Sequence, residues 1–408
     1  MKIVIIGAGP AGVSAAETVR LHDRQAELAV LSAEPYAPYS PPAMADHFIT
    51  GSTSHLWRGE DWPERTGVTY SMSTQVVTIE PDAHRLQLMD GKTLKYDRLI
   101  IATGSRLYAP VKGADMPGVR NFKSLSAAET IVAQVKKGKA KTAVIVGAGF
   151  IGMEIALLLR ELGVGVTQIE MLDQVMATML DKDTAAVALD LMQKRGVDVR
   201  LNTRAEEFIG KRSAMAVRLA SGETLEADIL IAATGVKPNL DLLESSGIEH
   251  NWGIRVDDHL RTNMPDIYAA GDAVEVPDRL TGETSVHAIF PNAVEQGQVV
   301  GLNIVGYDVC YAGGDRMNSL KHLGLPIMAV GLKEGDEALQ LRQNGNLRTI
   351  YLKNGRVVGF QLVGDIRAAG ILRTLAIQGG DVRPLRGRLL DPNFGQGMMV
   401  WQAITPMV

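Results

Sequence analysis

Near its start the chain reads Lys2-Ile3-Val4-Ile5-Ile6-Gly7-Ala8-Gly9-Pro10-Ala11-Gly12, a run of β-forming residues that enters a glycine-spaced turn. Helix-forming residues follow, so the sequence predicts a strand, a phosphate-binding loop and a helix. In such a loop Gly7 allows the tight turn, Gly9 lets the backbone approach a pyrophosphate, and Gly12 lets the helix pack on the strand. The N-terminal N–H groups of the helix then face the anion.

Two further features strengthen this interpretation. Glu34 follows the next predicted strand, Glu27–Leu31, at the place where an acid accepts a hydrogen bond from a ribose hydroxyl. The same strand, loop and helix recur at Thr142–Glu154, and a second strand, Val166–Ile169, again ends in an acid, Glu170. Two dinucleotide sites are therefore predicted, and a protein that holds two dinucleotides passes electrons between them most economically.

Composition excludes several classes of function. The chain has 408 residues, of which 46% are apolar and 22% charged, and no run approaches the roughly 18 apolar residues of a membrane span. Its net charge of −4 gives no electrostatic support for a nucleic-acid partner. The single cysteine, Cys310, excludes internal disulfides and a dithiol pair. The N-terminal apolar run is too short for a signal peptide, so we expect a cytoplasmic protein. The sequence predicts no metal site.

The proline-rich segment Glu34–Met44 carries a family resemblance. An acid, then Pro-Tyr, then prolines before a short helix resembles the FAD domain of the pyridine-nucleotide-disulfide reductase-like flavoproteins, in the branch of rubredoxin and ferredoxin reductases and NADH oxidases. Members with a redox cysteine place it in this segment, but residues 39–47 contain none. The Arg and Lys usual in the ferredoxin-reductase branch are replaced by Pro41 and Asp46.

Three more motifs resemble that family. Asp97–Arg106 is an apolar strand that ends in Ala-Thr-Gly, and Asp228–Asn239 is a second copy. Arg261–Asp272 resembles the second FAD motif, whose aspartate binds the ribityl chain and whose following helix points its positive N-terminus at the flavin. Phe290–Gly297 resembles the helix beside the flavin ring, and we give the preceding His287 no catalytic role.

The resemblance implies an α/β fold with two Rossmann-like dinucleotide-binding domains, the second inserted in the first. After Gly306 the pattern changes to short strands with an Asn354-Gly355 hairpin and a helix at 368–378, which resembles the family's α+β interface domain. We expect an FAD-binding domain at 1–112 and 245–310, an NAD-binding domain at 113–244, and an interface or dimerisation domain at 311–408.

Candidate residues follow from the motifs and the resemblance. Those for FAD are Gly7, Gly9, Pro10, Ala11, Gly12, Glu34, Pro42, Val76, Ala102, Thr103, Gly104, Gly271, Asp272, Phe290 and Ala293. Those for NAD are Gly147, Gly149, Phe150, Ile151, Gly152, Glu154, Glu170 and Gly235. Glu154 matches a family glutamate near the nicotinamide, although a solvated helix glutamate is a plain alternative.

The predicted function is transfer of electrons from NADH through FAD. The flavin performs the hydride chemistry, so no catalytic side chain is required. Because no cysteine pair diverts the electrons, we expect a one-electron carrier as acceptor: rubredoxin, ferredoxin or an iron-sulfur subunit of a larger oxidoreductase. A homodimer or a subunit of a hetero-oligomer is expected. The alternatives are a single-chain NADH oxidase or quinone reductase, and a non-catalytic FAD-binding interaction protein.

Overall fold

The computed structural model describes residues 1–322 and 324–395. The chain forms two compact units, and each contains one of the two glycine loops. The first unit consists of Met1–Pro110, Pro117–Ala140 and Thr234–Gly314. The second consists of Val111–Met116, Lys141–Ala233 and the chain from Asp315 onward.

Strands before the second loop are β1 (Lys2–Ile6), β2 (Glu27–Leu31), β3 (Thr69–Ser71), β4 (Val76–Glu80), β5 (Arg85–Leu88), β6 (Thr93–Lys95), β7 (Arg98–Ile101), β8 (Ser105–Tyr108) and β9 (Val119–Arg120). Next come β10 (Thr142–Val146), β11 (Gly165–Ile169), β12 (Asp198–Arg200), β13 (Ala205–Ile209), β14 (Ala216–Leu219), β15 (Thr224–Glu226), β16 (Ile229–Ala232) and β17 (Gly235–Pro238).

The remaining described strands are β18 (Ile254–Arg255), β19 (Ile267–Ala269), β20 (Val274–Pro277), β21 (Thr284–Ser285), β22 (Met317–Leu320), β23 (Ile327–Gly331), β24 (Glu337–Gln343), β25 (Asn346–Lys353) and β26 (Arg356–Val363). The α-helices are α1 (Pro10–His22), α2 (Met44–Thr50), α3 (Trp62–Thr66), α4 (Leu125–Lys136), α5 (Phe150–Glu161), α6 (Lys182–Lys194), α7 (Phe290–Ile304) and α8 (Ala369–Gln378).

A parallel sheet in the order β19-β7-β1-β2-β3 forms the centre of the first unit. Its middle strand is fully buried at the adjacent residues Val4 and Ile5, whose side chains point to opposite faces, which is the pattern expected for a strand covered on both faces. Helices α1 and α7 pack closely because glycine faces the contact. A Cβ on Gly297 would lie 2.3 Å from the carbonyl oxygen of Ala11, so a larger residue there would push the helices apart.

The second unit contains a parallel sheet and an antiparallel sheet. The parallel strands lie in the order β12-β11-β10-β16. The antiparallel strands lie in the order β22-β23-β26-β25-β24 and are covered by α8, with Phe360 and Leu372 fully buried. The hydroxyl of Tyr351 donates a hydrogen bond to Asp181, the N-cap of α6, so the antiparallel sheet is joined to the loop before that helix.

The predicted fold class is confirmed, since the segment Lys141–Ala233 interrupts the first unit and carries its own parallel sheet. The predicted boundaries of three domains stay a prediction. Two local expectations were wrong. The strand expected from Met72 begins only at Val76, and the Gly-Asp pair lies in a short 3-10 helix, Gly271–Ala273, that leads into β20. The α-helix expected to follow it begins only at Phe290.

In the described ranges, none of the helices combines the length and the apolar character that crossing a membrane requires.

Candidate functional site

The first glycine loop has the geometry that its sequence predicts. Gly7 has a φ of 111°, and a Cβ there would lie 2.1 Å from the carbonyl oxygen of Ala102, so only glycine fits. A Cβ on Gly12 would lie 2.0 Å from the carbonyl oxygen of Gly7. Only glycine at position 12 therefore lets the helix pack this closely against the strand. At Gly9 a Cβ would meet nothing within 4 Å. The open space in front of the helix N-terminus is therefore at Gly9.

The second loop repeats this geometry in the second unit. Gly147 has a φ of 105°, and a Cβ on Gly152 would lie 2.5 Å from the carbonyl oxygen of Gly147. Gly149, like Gly9, faces open space, and both are extended N-caps with φ of −77° and −74°. Each loop thus presents the N-terminus of a helix of at least three turns to an open region, which is the arrangement that binds a pyrophosphate. The residues present fit a dinucleotide at both loops.

The Gly-Asp pair lies beside the first loop. Gly271 has a φ of 80°, and its N–H donates to the buried side chain of Gln296 at 2.6 Å. A Cβ on Gly271 would lie 3.0 Å from that of Ala11 and 3.8 Å from that of Ala293. The loop, the Gly-Asp pair and α7, which were predicted separately, therefore meet at one place.

Asp272 has two partners that sequence reasoning missed. Its carboxylate accepts a hydrogen bond from the hydroxyl of Ser105 at 2.7 Å and forms an ion pair with Lys123. Both ion-pair side chains are less than a fifth exposed. No local pattern in the sequence reveals this contact, because Lys123 and Asp272 are 149 residues apart.

Glu34 is held by groups of the same unit. Its carboxylate accepts hydrogen bonds from the N–H of Ser126 at 2.9 Å, from the Ser126 hydroxyl at 2.7 Å, and from the hydroxyl of Tyr39. Burial and the charge of Glu34 raise the pKa of Tyr39, so this hydroxyl stays protonated and donating. A carboxylate has about four acceptor positions, so Glu34 keeps capacity for a ribose hydroxyl.

The other FAD candidates are distributed along the first unit. Ala102 is buried at the end of β7, and Thr103 and Asn239 exchange two hydrogen bonds of 2.9 Å. Phe290 opens α7 and packs edge-on against Trp57 at 5.0 Å between ring centroids. The remaining candidates lie at the start of α1 (Pro10), in the 3-10 helix Pro41–Ala43 (Pro42), at the start of β4 (Val76) and after β7 (Gly104).

In the second unit, Glu170 lies against the loop. One carboxylate oxygen accepts the N–H of Ala148 at 2.9 Å, and the other accepts the N–H of Leu172 at 3.0 Å. Three large apolar side chains near this acid and the loop are exposed, namely Ile151, Met171 and Leu172. Exposed apolar surface beside a phosphate loop is a suitable wall for the flat rings of a nucleotide.

Glu154, on α5, pairs with a residue that sequence reasoning missed. Nδ1 of His322 lies 2.9 Å from a carboxylate oxygen of Glu154, and the two side chains are 17% and 27% exposed. Phe150 opens the same helix. Gly235, predicted as an NAD residue, opens β17 in the first unit, so its assignment stays a prediction.

Comparison with known proteins identifies the class. The sequence pattern of the pyridine nucleotide-disulphide oxidoreductases matches residues 1–297, and the chain belongs to that family. It is 31% identical to rubredoxin-NAD(+) reductase of Pseudomonas putida, with 91% of this chain and 98% of that protein covered. It is 29% identical to NADH oxidase of Methanocaldococcus jannaschii, with 92% and 90% covered.

A third relative is named as part of a larger enzyme. The chain is 29% identical to the NADH-dependent phenylglyoxylate dehydrogenase subunit epsilon of Aromatoleum evansii, with 95% of this chain and 94% of that subunit covered. Together with the two fitting loops, these relatives make this chain an NADH-dependent FAD oxidoreductase that uses FAD and NAD(H) as cofactors. The interpretation as a non-catalytic FAD-binding protein is therefore wrong.

Proposed function

We propose that this protein passes electrons from NADH through FAD to an external one-electron carrier, which is rubredoxin, ferredoxin or an iron-sulfur subunit of a larger oxidoreductase. When bound, FAD accepts two electrons as a hydride and returns them one at a time. The observation that carries the proposal is the pair of loops, each with an open N-cap glycine, because two dinucleotides need two such places.

The first loop is assigned to FAD. The support is the packing of Gly271 against Ala11 and Ala293, which joins the second FAD motif to the helix that follows this loop. Asp272 would accept a hydrogen bond from the ribityl chain, and its ion pair with Lys123 holds the carboxylate in place. Glu34, held by Ser126 and Tyr39, would accept from the adenosine ribose.

The second loop is assigned to NADH. Glu170 would bind the ribose hydroxyls, and its negative charge would repel the 2′-phosphate of NADPH. The next residues, Met171-Leu172-Asp173, offer no arginine to neutralise that phosphate. Glu154 would orient the nicotinamide, with His322 fixing its carboxylate.

The chain's thiol content and the names of its relatives both favour a protein as the electron acceptor. Cys310 is the only cysteine, so no thiol pair is present to pass electrons to a disulfide substrate. One relative is named for rubredoxin and another as a subunit of a larger dehydrogenase, which supports a protein acceptor. We also propose that the protein works in the cytoplasm, as a homodimer or as a subunit of a hetero-oligomer.

The main competitor is a single-chain NADH oxidase or quinone reductase, favoured by the name of the archaeal relative. The test compares NADH-driven reduction of oxidised rubredoxin, of a ferredoxin, of oxygen and of a small quinone by the same flavin-loaded protein. We expect at least one iron-sulfur protein to be reduced much faster than oxygen or quinone. Faster reduction of oxygen or quinone than of every iron-sulfur protein, together with isolation as a single chain from the native source, would replace the proposal by the competitor.

A further inference from the structure

A cluster of metal-ligand side chains lies in the first unit, outside every residue assigned to a cofactor. One oxygen of Asp258, one nitrogen of His259 and the sulfur of Cys310 lie within 4.8 Å of one another. Nδ1 of His259 is 2.6 Å from Asp258, and Nε2 is 2.8 Å from a carboxylate oxygen of Asp308 and 3.7 Å from Sγ of Cys310. The cluster therefore combines nitrogen, sulfur and oxygen donors around one imidazole ring.

The two chain segments that carry these residues are fixed to each other. Asn303, which is 2% exposed, donates from Nδ2 to the carbonyl oxygens of His259 at 3.0 Å and Val309 at 2.8 Å. Its Oδ1 accepts the N–H of Val309 at 2.8 Å. The N–H of Tyr311 donates to the carbonyl oxygen of Asp258 at 2.7 Å. The separation of the imidazole and the thiol is thus set by backbone contacts, which reduces the conformational entropy that binding would cost.

We propose that His259, Cys310 and Asp308 form a binding site for a zinc-type divalent cation. Tetrahedral zinc with Zn–S of about 2.3 Å and Zn–N of about 2.0–2.1 Å places its sulfur and nitrogen ligands roughly 3.6 Å apart. The observed Nε2 to Sγ distance of 3.7 Å agrees with that separation. Asp308, whose side chain is 88% exposed, supplies the third ligand after a small rotation, and water completes the shell.

Asp258 has a different role in this site. Its hydrogen bond to Nδ1 holds the ring with Nε2 toward Asp308 and Cys310, so a metal bound at Nε2 completes the carboxylate–histidine–metal arrangement common in zinc proteins. The carboxylate fixes the tautomer and the ring orientation and raises the basicity of the ligand nitrogen. Asp258 is therefore a positioning residue of the site.

The charge around the thiol also favours a cation. The carboxylates of Asp258 and Asp308 both lie against the His259 ring, whose Nε2 is 3.7 Å from the thiol sulfur. When the metal binds, the metal–sulfur bond forms and the thiol proton passes to solvent. No electrons are transferred.

The site is independent of the proposed function, and its test uses the full-length, flavin-loaded protein with Zn²⁺ as the only added ligand. Competition with a chromophoric chelator gives the affinity and the stoichiometry, and zinc X-ray absorption gives the ligand atoms. We expect one zinc per chain and one sulfur neighbour at about 2.3 Å. Cys310→Ser should remove that sulfur signal, and Asp258→Asn should weaken binding by roughly 10- to 100-fold.

A control variant and a folding check complete the design. His250→Gln changes an exposed histidine of the same unit outside the cluster and should leave zinc affinity unchanged. Flavin absorbance and circular dichroism establish that each variant is folded. If the parent protein binds no stoichiometric zinc, or if its bound zinc has no sulfur neighbour, the proposal is overturned and the cluster is only an imidazolium held between carboxylates.

Discussion

The carboxylate of Glu170 accepts the N–H of Ala148 at 2.9 Å, so the acid at the end of β11 closes back on the loop that precedes α5. This contact places a negative charge beside the proposed nucleotide site. We expect kcat/KM for NADH to exceed that for NADPH by at least tenfold, because the carboxylate repels a 2′-phosphate.

Glu170→Ala should lower kcat/KM for NADH by roughly 10- to 100-fold, since charge-assisted hydrogen bonds contribute about 1.5–3 kcal/mol. The preference over NADPH should shrink at the same time. Glu226→Ala, at an exposed acid of the same unit, is the control and should change neither value. Equal efficiency of the parent protein with both nucleotides would refute this assignment of Glu170.

The open glycines of the two loops provide a paired prediction. Gly9 and Gly149 have extended backbone that any residue adopts, and a side chain there meets no protein atom within 4 Å at its Cβ. We expect Gly9→Leu to fold but to purify colourless, because the side chain fills the phosphate position. Gly149→Leu should be yellow, yet its flavin should not be reduced by NADH.

The folding control for that pair is Gly12→Ala, whose added Cβ would lie 2.0 Å from the carbonyl oxygen of Gly7. This variant should be less stable, because the helix must move away from the strand. Absorbance at the flavin band and thermal unfolding distinguish the three variants. Full flavin occupancy in both Gly9→Leu and Gly149→Leu would show that the first loop does not bind the flavin. If Gly149→Leu loses its flavin while Gly9→Leu keeps it, the two loops are assigned the wrong way round.

Substitutions at Glu154 and His322 should slow flavin reduction by NADH to different extents. Glu154→Ala should slow flavin reduction by NADH by roughly 10- to 100-fold, since small misplacements of a reacting group cost that much. His322→Ala should have a smaller effect, because His322 acts through Glu154. Anaerobic stopped-flow absorbance measures both rates. If both variants lose stability equally and reduce flavin at the parent rate, the pair serves only the fold.

The buried hydroxyl of Tyr96 should make the free energy of unfolding depend on pH in the alkaline range. Its hydroxyl is buried and makes no hydrogen bond within residues 1–322 and 324–395. Burial, and then the charge of Asp266, raise the pKa of Tyr96 from 10.0 to about 12. The folded state therefore holds this proton more tightly than the unfolded state, and the free energy of unfolding should fall as pH rises from about 10 to about 12.

Tyr96→Phe should remove that part of the alkaline loss. At neutral pH the substitution should leave the free energy of unfolding unchanged or raise it by about 1 kcal/mol, because it removes a buried hydroxyl that has no hydrogen-bond partner in the described ranges. Denaturant unfolding of both proteins at neutral and alkaline pH provides the measurement. A clear destabilisation at neutral pH would contradict the environment described for this hydroxyl.

Features fixed by local chemistry were predictable from the sequence. Both glycine loops were found in full, because the positive φ at Gly7 and Gly147 and the close contacts at Gly12 and Gly152 leave few alternatives to glycine. The strand Glu27–Leu31 was predicted with its observed bounds, since its short apolar run is bounded by polar turn residues. The Asn354-Gly355 hairpin was likewise confirmed, with φ of 53° and 73°.

Features that depend on distant contacts were not predictable. The ion pair of Lys123 with Asp272 and the metal-ligand cluster at His259 join residues 149 and about 50 positions apart, and neither has a spacing signature. The pairing order of the carboxy-terminal sheet was also missed, because short antiparallel strands pair in many orders. The sequence assigns no role to the stretch after Asp391, and its part beyond Gly395 lies outside the described residues.

In the proposed function, one chain accepts electrons from NADH on a bound flavin and releases them singly. An anaerobic titration of the purified yellow protein with NADH, followed by oxidised rubredoxin or ferredoxin, tests both steps when flavin absorbance is monitored. We predict complete bleaching by one NADH per flavin, and full return of the colour with two one-electron carriers per flavin. A flavin band unchanged by excess NADH would contradict the account.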